Sequence, residues 1–281
     1  MSSDWEHKFA DLDGLKLHYV EAGSGPLVVL LHGFPEFWYS WRFQIPALAQ
    51  AGFRVLAPDL RGYNLSDKPK GVSAYRVHLL AGDIAGLIRH AGAARAHIVG
   101  HDWGGGVAWW LAIQKPEVVE RLAVLNCPHP AAFWRELRRP GQLLRSWYMF
   151  FFQVPWLPER LMRLRDFASL ENTFRSAGFS SDDIEQYKEA LRQPGALTAA
   201  INYYRAMFRN SRSLGQPMPR LSLPTMLVWG KHDDYLGIAL TQNLDPWVQD
   251  LRLELLEASH WVQCDAADQV NRLLIDFLGR P

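Results

Sequence analysis

The sequence predicts an α/β protein: a mostly parallel sheet, helices on both of its faces, and a helical segment inserted between two strands. Three observations predict it. Short, wholly apolar runs such as Leu27–Leu31 (LVVLL) read as strands covered on both sides. Helical patterns separate these runs at short intervals, the rhythm of parallel strands joined by crossovers. Between Pro130 and Pro219 that rhythm stops and no buried-strand run occurs.

Each element follows from its own pattern. Residues 9–12 and 15–20 flank Asp13-Gly14, a pair suited to a two-residue turn, so an antiparallel hairpin is expected at one edge of the sheet. After the Leu27–Leu31 strand, residues 41–50 carry a helical pattern that Gly52 ends. Residues 53–57 form the next buried strand, stopped by Pro58-Asp59. A helix over Val77–His90, a strand over 96–99, a helix over 107–114 and a strand over 122–125 continue the alternation. From residue 130 the chain turns to aromatic and arginine-rich helical segments broken by Pro140-Gly141, Pro155, Pro158 and Pro194-Gly195. Strands at 225–229 and Leu251–Leu256 and a helix over 268–278 resume the pattern. The organisation expected is a core of residues 1–129 and 220–281, with residues 130–219 as a lid. Segments inserted beyond the carboxyl ends of parallel strands lie where open α/β sheets bind ligands.

Bulk properties narrow the function classes. The 281 residues suffice for a large core, and 48% hydrophobic with 21% charged residues is ordinary for a globular chain. A formal charge of +1 argues against nucleic acid or an anionic membrane surface as the main partner. Arg135, Arg138 and Arg139, and Arg160, Arg163 and Arg165, read as solvated helix faces. Cys127 and Cys264 give neither a disulfide framework nor metal-ligand spacing, so both are expected reduced. The opening MSSDWEHKF lacks a secretory apolar region. The longest apolar stretch, residues 147–157, is too short to span a bilayer and contains Pro155. A cytoplasmic protein without a membrane span is expected; the sequence is silent on oligomeric state.

The chemistry gathers at strand ends. GHDWGG, Gly100 to Gly105, lies where a strand turns into a helix, as in the G-x-S-x-G nucleophile elbow, but Asp102 stands where that motif has serine. Past the insertion, Asp233 follows one strand and His260 the next. Nucleophile, acid and histidine in this order, each at a strand's carboxyl end, is the chain order of the α/β-hydrolase fold. Asp233 is favoured over its neighbour Asp234 as the third residue after Gly230. HGFPE, His32 to Glu36, follows the Leu27–Leu31 strand and supplies an oxyanion loop. The Phe34 N–H is the expected donor there, because Pro35 has none, and the Trp103 N–H is the second. Glu36 is a candidate for orienting the hydrolytic water; Trp38 and Phe151 are candidates for the substrate pocket. His32 and His101 are expected to be structural.

A carboxylate nucleophile selects its electrophile. Attack on an ester would give an anhydride, whereas attack on saturated carbon gives an alkyl ester that water can cleave with His260 as base. Asp102 therefore points to hydrolysis by alkyl transfer. Epoxide opening and dehalogenation both fit, with a non-catalytic ligand-binding protein as the remote alternative.

Residues 32–63, HGFPEFWYSWRFQIPALAQAGFRVLAPDLRGY, together with GHDWGG and SHWVQ, closely resemble the soluble epoxide hydrolases of the α/β-hydrolase superfamily. The resemblance covers nearly the whole chain and is strongest before Asn126 and after Leu223. It implies conversion of an epoxide and water to a vicinal diol, with no metal or organic cofactor. Asp102 would be the nucleophile, Asp233 and His260 the charge pair, and Phe34 and Trp103 the oxyanion donors. In that family two lid tyrosines activate the epoxide oxygen, and the matching residues here are Tyr148 and Tyr204. Tyr203 neighbours the second on a helix and faces elsewhere. Phe34 stands where many haloalkane dehalogenases place an asparagine, which favours the epoxide over the halide.

Overall fold

The computed structural model describes residues 5–209 and 218–279. Its frame is one sheet of eight strands: β1 (Glu6–Leu12), β2 (Leu15–Ala22), β3 (Leu27–Leu31), β4 (Arg54–Pro58), β5 (Ala96–His101), β6 (Val119–Leu125), β7 (Thr225–Gly230) and β8 (Leu251–Leu256). The spatial order is β1-β2-β4-β3-β5-β6-β7-β8. The pairs β1–β2 and β2–β4 are antiparallel and the rest parallel. Asp13 and Gly14 close the hairpin with φ of 54° and 87°, the positive values a tight turn of this hand requires. β3, β5 and β7 are buried along their whole length, as their unbroken apolar runs demand.

Helices α1 (Gln44–Gln50), α2 (Val77–His90), α3 (Trp103–Gln114), α11 (Val262–Asp265) and α12 (Ala267–Leu278) cover this sheet, α2 packing with α3 and α1 with α12. The segment read as helical from residue 41 begins instead with a 3-10 turn at Trp38–Trp41, and α1 starts only at Gln44. α3 begins at Trp103, four residues before its apolar periodicity suggests, because Gly104, Gly105 and Gly106 occupy its first turn. Glycine disfavours helix in isolation, but here space decides. A Cβ on Gly104 would lie 2.1 Å from the Leu31 carbonyl oxygen, and one on Gly105 would lie 2.5 Å from Cys127 Cβ.

Between β6 and β7, seven α-helices run among the described residues: α4 (Pro130–Glu136), α5 (Pro140–Arg145), α6 (Trp147–Phe151), α7 (Leu157–Met162), α8 (Ala168–Ser176), α9 (Ser181–Arg192) and α10 (Ala196–Arg209). Pro130, Pro140 and Pro158, which punctuate the sequence, sit at the first positions of α4, α5 and α7. There proline's missing N–H costs no hydrogen bond. Ser180 caps α9 by accepting from the Asp183 N–H. Arg205 of α10 ties the segment together: it ion-pairs with Glu159 of α7 at 2.6 Å and donates to the Phe152 and Val154 carbonyls. Residues 210–217 of the expected lid lie outside the described residues. No helix among the described residues is long and apolar enough to cross a membrane.

The contact between Gly104 and β3 allows almost no room, so Gly104→Ala must displace backbone. Unfolding in urea is expected to show a loss of about 2 kcal/mol or more; an unchanged midpoint would refute this packing.

Candidate active site

Asp102 is the residue at which β5 becomes α3, with φ 47° and ψ −120°. A non-glycine residue held there stores about 1–3 kcal/mol of strain. The surrounding glycines hold it there: a Cβ on Gly100 would lie 2.4 Å from the Gly104 carbonyl oxygen. The turn lifts the Asp102 side chain against the loop after β3. There Gly33 leaves room, since its Cβ would lie 2.5 Å from Asp102 Cβ. The Phe34 N–H donates to Asp102 Oδ1 at 2.8 Å, and the Trp103 N–H adds a second favourable pull on this carboxylate. His260 Nε2 stands 3.7 Å from the other oxygen, Oδ2.

Behind His260 the hydrogen bonds form one buried network. His260 Nδ1–H donates to Asp233 Oδ2 at 2.7 Å. Asp233 Oδ1 accepts the Tyr235 and Leu236 N–H groups, both at 2.8 Å, and Asn126 Nδ2 donates to Oδ2 at 2.6 Å. Asp234 is exposed, so the choice between the neighbouring acids falls to Asp233. His101 faces two acceptors, Glu36 Oε2 at 2.8 Å through Nδ1 and the His260 carbonyl at 2.8 Å through Nε2. Glu36 also accepts the Gly33 N–H at 3.2 Å and Gln263 Nε2 at 3.1 Å. The Glu36–His101 pair thereby joins the loop after β3 to the backbone of His260.

Charge and burial set the protonation of each group. Burial pushes the Asp102 carboxyl above its ordinary value, against the pull of His260, His101 and the two backbone N–H groups. Burial opposes ionisation of Asp233 too, but His260 and Asn126 outweigh it and hold Asp233 below its usual range. For His260 burial favours the neutral ring, yet Asp233 first, then Asp102 and Glu36, raise it to about 9.

Tyr148 of α6 and Tyr204 of α10 meet above Asp102. Their rings meet edge-on at 5.8 Å, and the Trp103 ring packs edge-on against Tyr204 at 5.0 Å. Burial, then the nearby Asp102 carboxylate among other groups, keeps both phenols far above their ordinary value, so both stay protonated. Tyr203 also borders the cavity, but its hydroxyl is engaged elsewhere, donating to the Arg61 carbonyl at 2.7 Å. A cavity of about 500 Å³ opens from Asp102, walled by Trp103, Trp110, Phe133, Trp134, Met149 and Met207 among others.

Two sequence expectations need correction. Trp38 is not in this cavity; it is buried among Trp5, His7 and Phe37, where the tight 3-10 turn after the oxyanion loop carries it. Phe151 packs on Trp147 and Phe152 instead of facing the cavity, because Tyr148 and Met149 take the inner face of α6. Glu36, 1% exposed, is held by the Gly33 N–H, His101 and Gln263. His32 is structural as expected, accepting the Leu60 N–H at 2.9 Å. Sequence reasoning missed Asn126 and Tyr235. Asn126, at φ 41°, holds both Asp233 and the Gly230 N–H, and an asparagine directly after a buried strand is a legible signal for such a corner. Tyr235 packs its ring on His260 and Tyr148 and carried no comparable mark.

Comparison with known proteins agrees with this geometry. The family model described as alpha/beta hydrolase fold matches residues 26–267. The chain is 43% identical to the AB hydrolase superfamily protein YfhM of Bacillus subtilis, over 96% of this chain and 97% of that protein. It is 41% identical to human epoxide hydrolase 4, over 94% of this chain and 76% of that protein. A crystal structure of the Bacillus megaterium epoxide hydrolase with an inhibitor superposes with a TM-score of 0.90 at 32% identity, covering 97% of this chain and all of that one.

The histidine's elevation rests partly on the Asp102 charge. In Asp102→Ala the His260 value, followed by NMR of the imidazole, is expected to fall from about 9. A titration unmoved by that substitution would show that the two groups are not coupled.

Proposed function

The chain belongs to the α/β-hydrolase fold family, among its epoxide hydrolases, and on that footing we propose that it hydrolyses epoxides to vicinal diols through a covalent ester on Asp102. Oδ2 attacks a ring carbon. The carbon–oxygen bond of the strained ring breaks, and the departing oxygen takes a proton from the Tyr148/Tyr204 pair. An alkoxide is too basic to leave unassisted, and a phenol that remains protonated at neutral pH supplies the donor. The product of this step is an alkyl ester whose carbonyl oxygen is Oδ1.

Ester formation then changes the electrostatics. The Asp102 charge disappears, one of the influences raising His260 goes with it, and the imidazolium gives up its proton, which restores the phenol that opened the ring and leaves the imidazole free to act as a base. His260, oriented by Asp233, takes a proton from water, and the hydroxide attacks Asp102 Cγ. Charge gathers on Oδ1, against the Phe34 and Trp103 N–H groups at the start of α3, where helix-end donors favour an anion. Collapse breaks the Cγ–Oδ2 bond, returns a proton to the leaving alkoxide and frees the diol. The incoming water oxygen stays on Asp102.

The observation carrying this reading is the unequal treatment of the two Asp102 oxygens. Oδ1 is held by the Phe34 N–H at 2.8 Å, while Oδ2 is the one beside His260, under two protonated tyrosines. The apolar, aromatic cavity walls suit an epoxide with an apolar substituent.

A single turnover in ¹⁸O-water is expected to give unlabelled diol and a labelled Asp102 peptide by mass spectrometry. Label entering the diol in that first turnover would sink the covalent route. Tyr148→Phe with Tyr204→Phe together should slow alkylation by about 10²–10⁴-fold in stopped flow, and a rate within a few-fold of the parent would remove the tyrosines from the mechanism. Alkylation should also fail as the pH drops through the raised Asp102 value, giving an acid limb above that of an ordinary aspartate at about 3.9.

A further inference from the structure

Part of the lid leaves an apolar face uncovered. Fourteen large hydrophobic side chains are exposed among the described residues, and eight of them fall between Leu143 and Leu164. The most open are Leu144 at 72%, Trp156 at 68%, Trp147 at 64% and Leu164 at 55%. Leu143, Trp147, Phe150 and Val154 are all exposed along α5, α6 and the turn beyond. The inner face of α6 carries Tyr148 and Met149, so one short helix has the reaction site on one side and this bare surface on the other.

Cations are interleaved with these side chains. Residues 138–165 contain six arginines and one acid, Glu159, which Arg205 already engages. Arg138, Arg160, Arg163 and Arg165 are exposed and have no ion-pair partner among the described residues. The whole-chain charge of +1 conceals this local surplus.

We infer that this face docks the protein peripherally on the surface of an anionic lipid bilayer. Exposed tryptophan and leucine suit the boundary between headgroups and acyl chains, and arginines beside them meet lipid phosphates. Contiguous apolar surface of this kind marks an interaction site. A second copy of the chain fits less well, because a symmetric contact would set the same unpaired arginines against each other. The helices concerned, α5 to α7, have five or six residues each, so they lie on the surface and do not span it. This inference does not rest on the reaction proposed above.

The test is flotation of the full chain with phosphatidylcholine vesicles, either pure or containing about one-third phosphatidylglycerol. The expected result is binding to the anionic vesicles that weakens as salt rises, with tryptophan fluorescence quenched by brominated acyl chains. Arg160→Glu with Arg163→Glu, and separately Trp147→Ser with Trp156→Ser, should each reduce the bound fraction by about tenfold or more. All four side chains are exposed and outside the cavity, so circular dichroism and the thermal midpoint should match the parent. Absence of flotation by the parent, or binding that survives both double variants, would overturn the inference. So would a parent dimer that the tryptophan pair converts to monomer in sedimentation, which would assign the face to a contact between copies.

Discussion

Asp102 keeps its positive φ because two stretches of backbone cross beneath it with no room for side chains. Gly100 meets the carbonyl of Gly104, and Gly104 meets the carbonyl of Leu31. The strain at the turn is repaid by the packing of β3, β5 and α3, which are buried almost throughout. Relaxing that crossing would lower the carboxylate away from the Phe34 N–H and the His260 ring together. The geometry of the site is thus a property of the sheet, not of the loops that decorate it.

The same cluster carries an excess of negative charge. Asp102, Asp233 and Glu36 are gathered around His101 and His260, all deeply buried. The consequence is felt by every neutral acid nearby. Tyr148 and Tyr204 hold their protons more tightly, and so does the Cys127 thiol, which burial and the two aspartates push well above its usual value. One arrangement therefore keeps both phenols protonated and holds the Cys127 thiol of the cavity wall in its neutral, unreactive form.

Residues that act through local geometry could be read directly from the chain. The continuous apolar strands, the Asp13-Gly14 hairpin and the glycines around Asp102 each announce a backbone requirement, and the order of Asp102, Asp233 and His260 follows from their places after strands. Side chains whose work depends on distant partners were harder. Trp38 and Phe151 share the aromatic character of the true cavity walls, and only packing separates the two groups. Glu36 reads as a loop acid until His101 and Gln263, far away in sequence, are seen to engage it. The arginines near the lid surface illustrate the opposite failure, since averaging charge over the chain erases a local excess.

The contact between the Phe34 amide and Oδ1 has a bearing on selectivity. In a serine-dependent relative of this architecture the corresponding amides wait for a carbonyl oxygen brought by the substrate. Here that berth is filled by the enzyme's own aspartate before anything enters. An incoming carboxylic ester would find its polarising amides taken and a carboxylate in front of it that forms only an unstable mixed anhydride. On the proposed route the fold forgoes acyl-group chemistry while keeping the apparatus for it, and turns that apparatus on an acyl group of its own making.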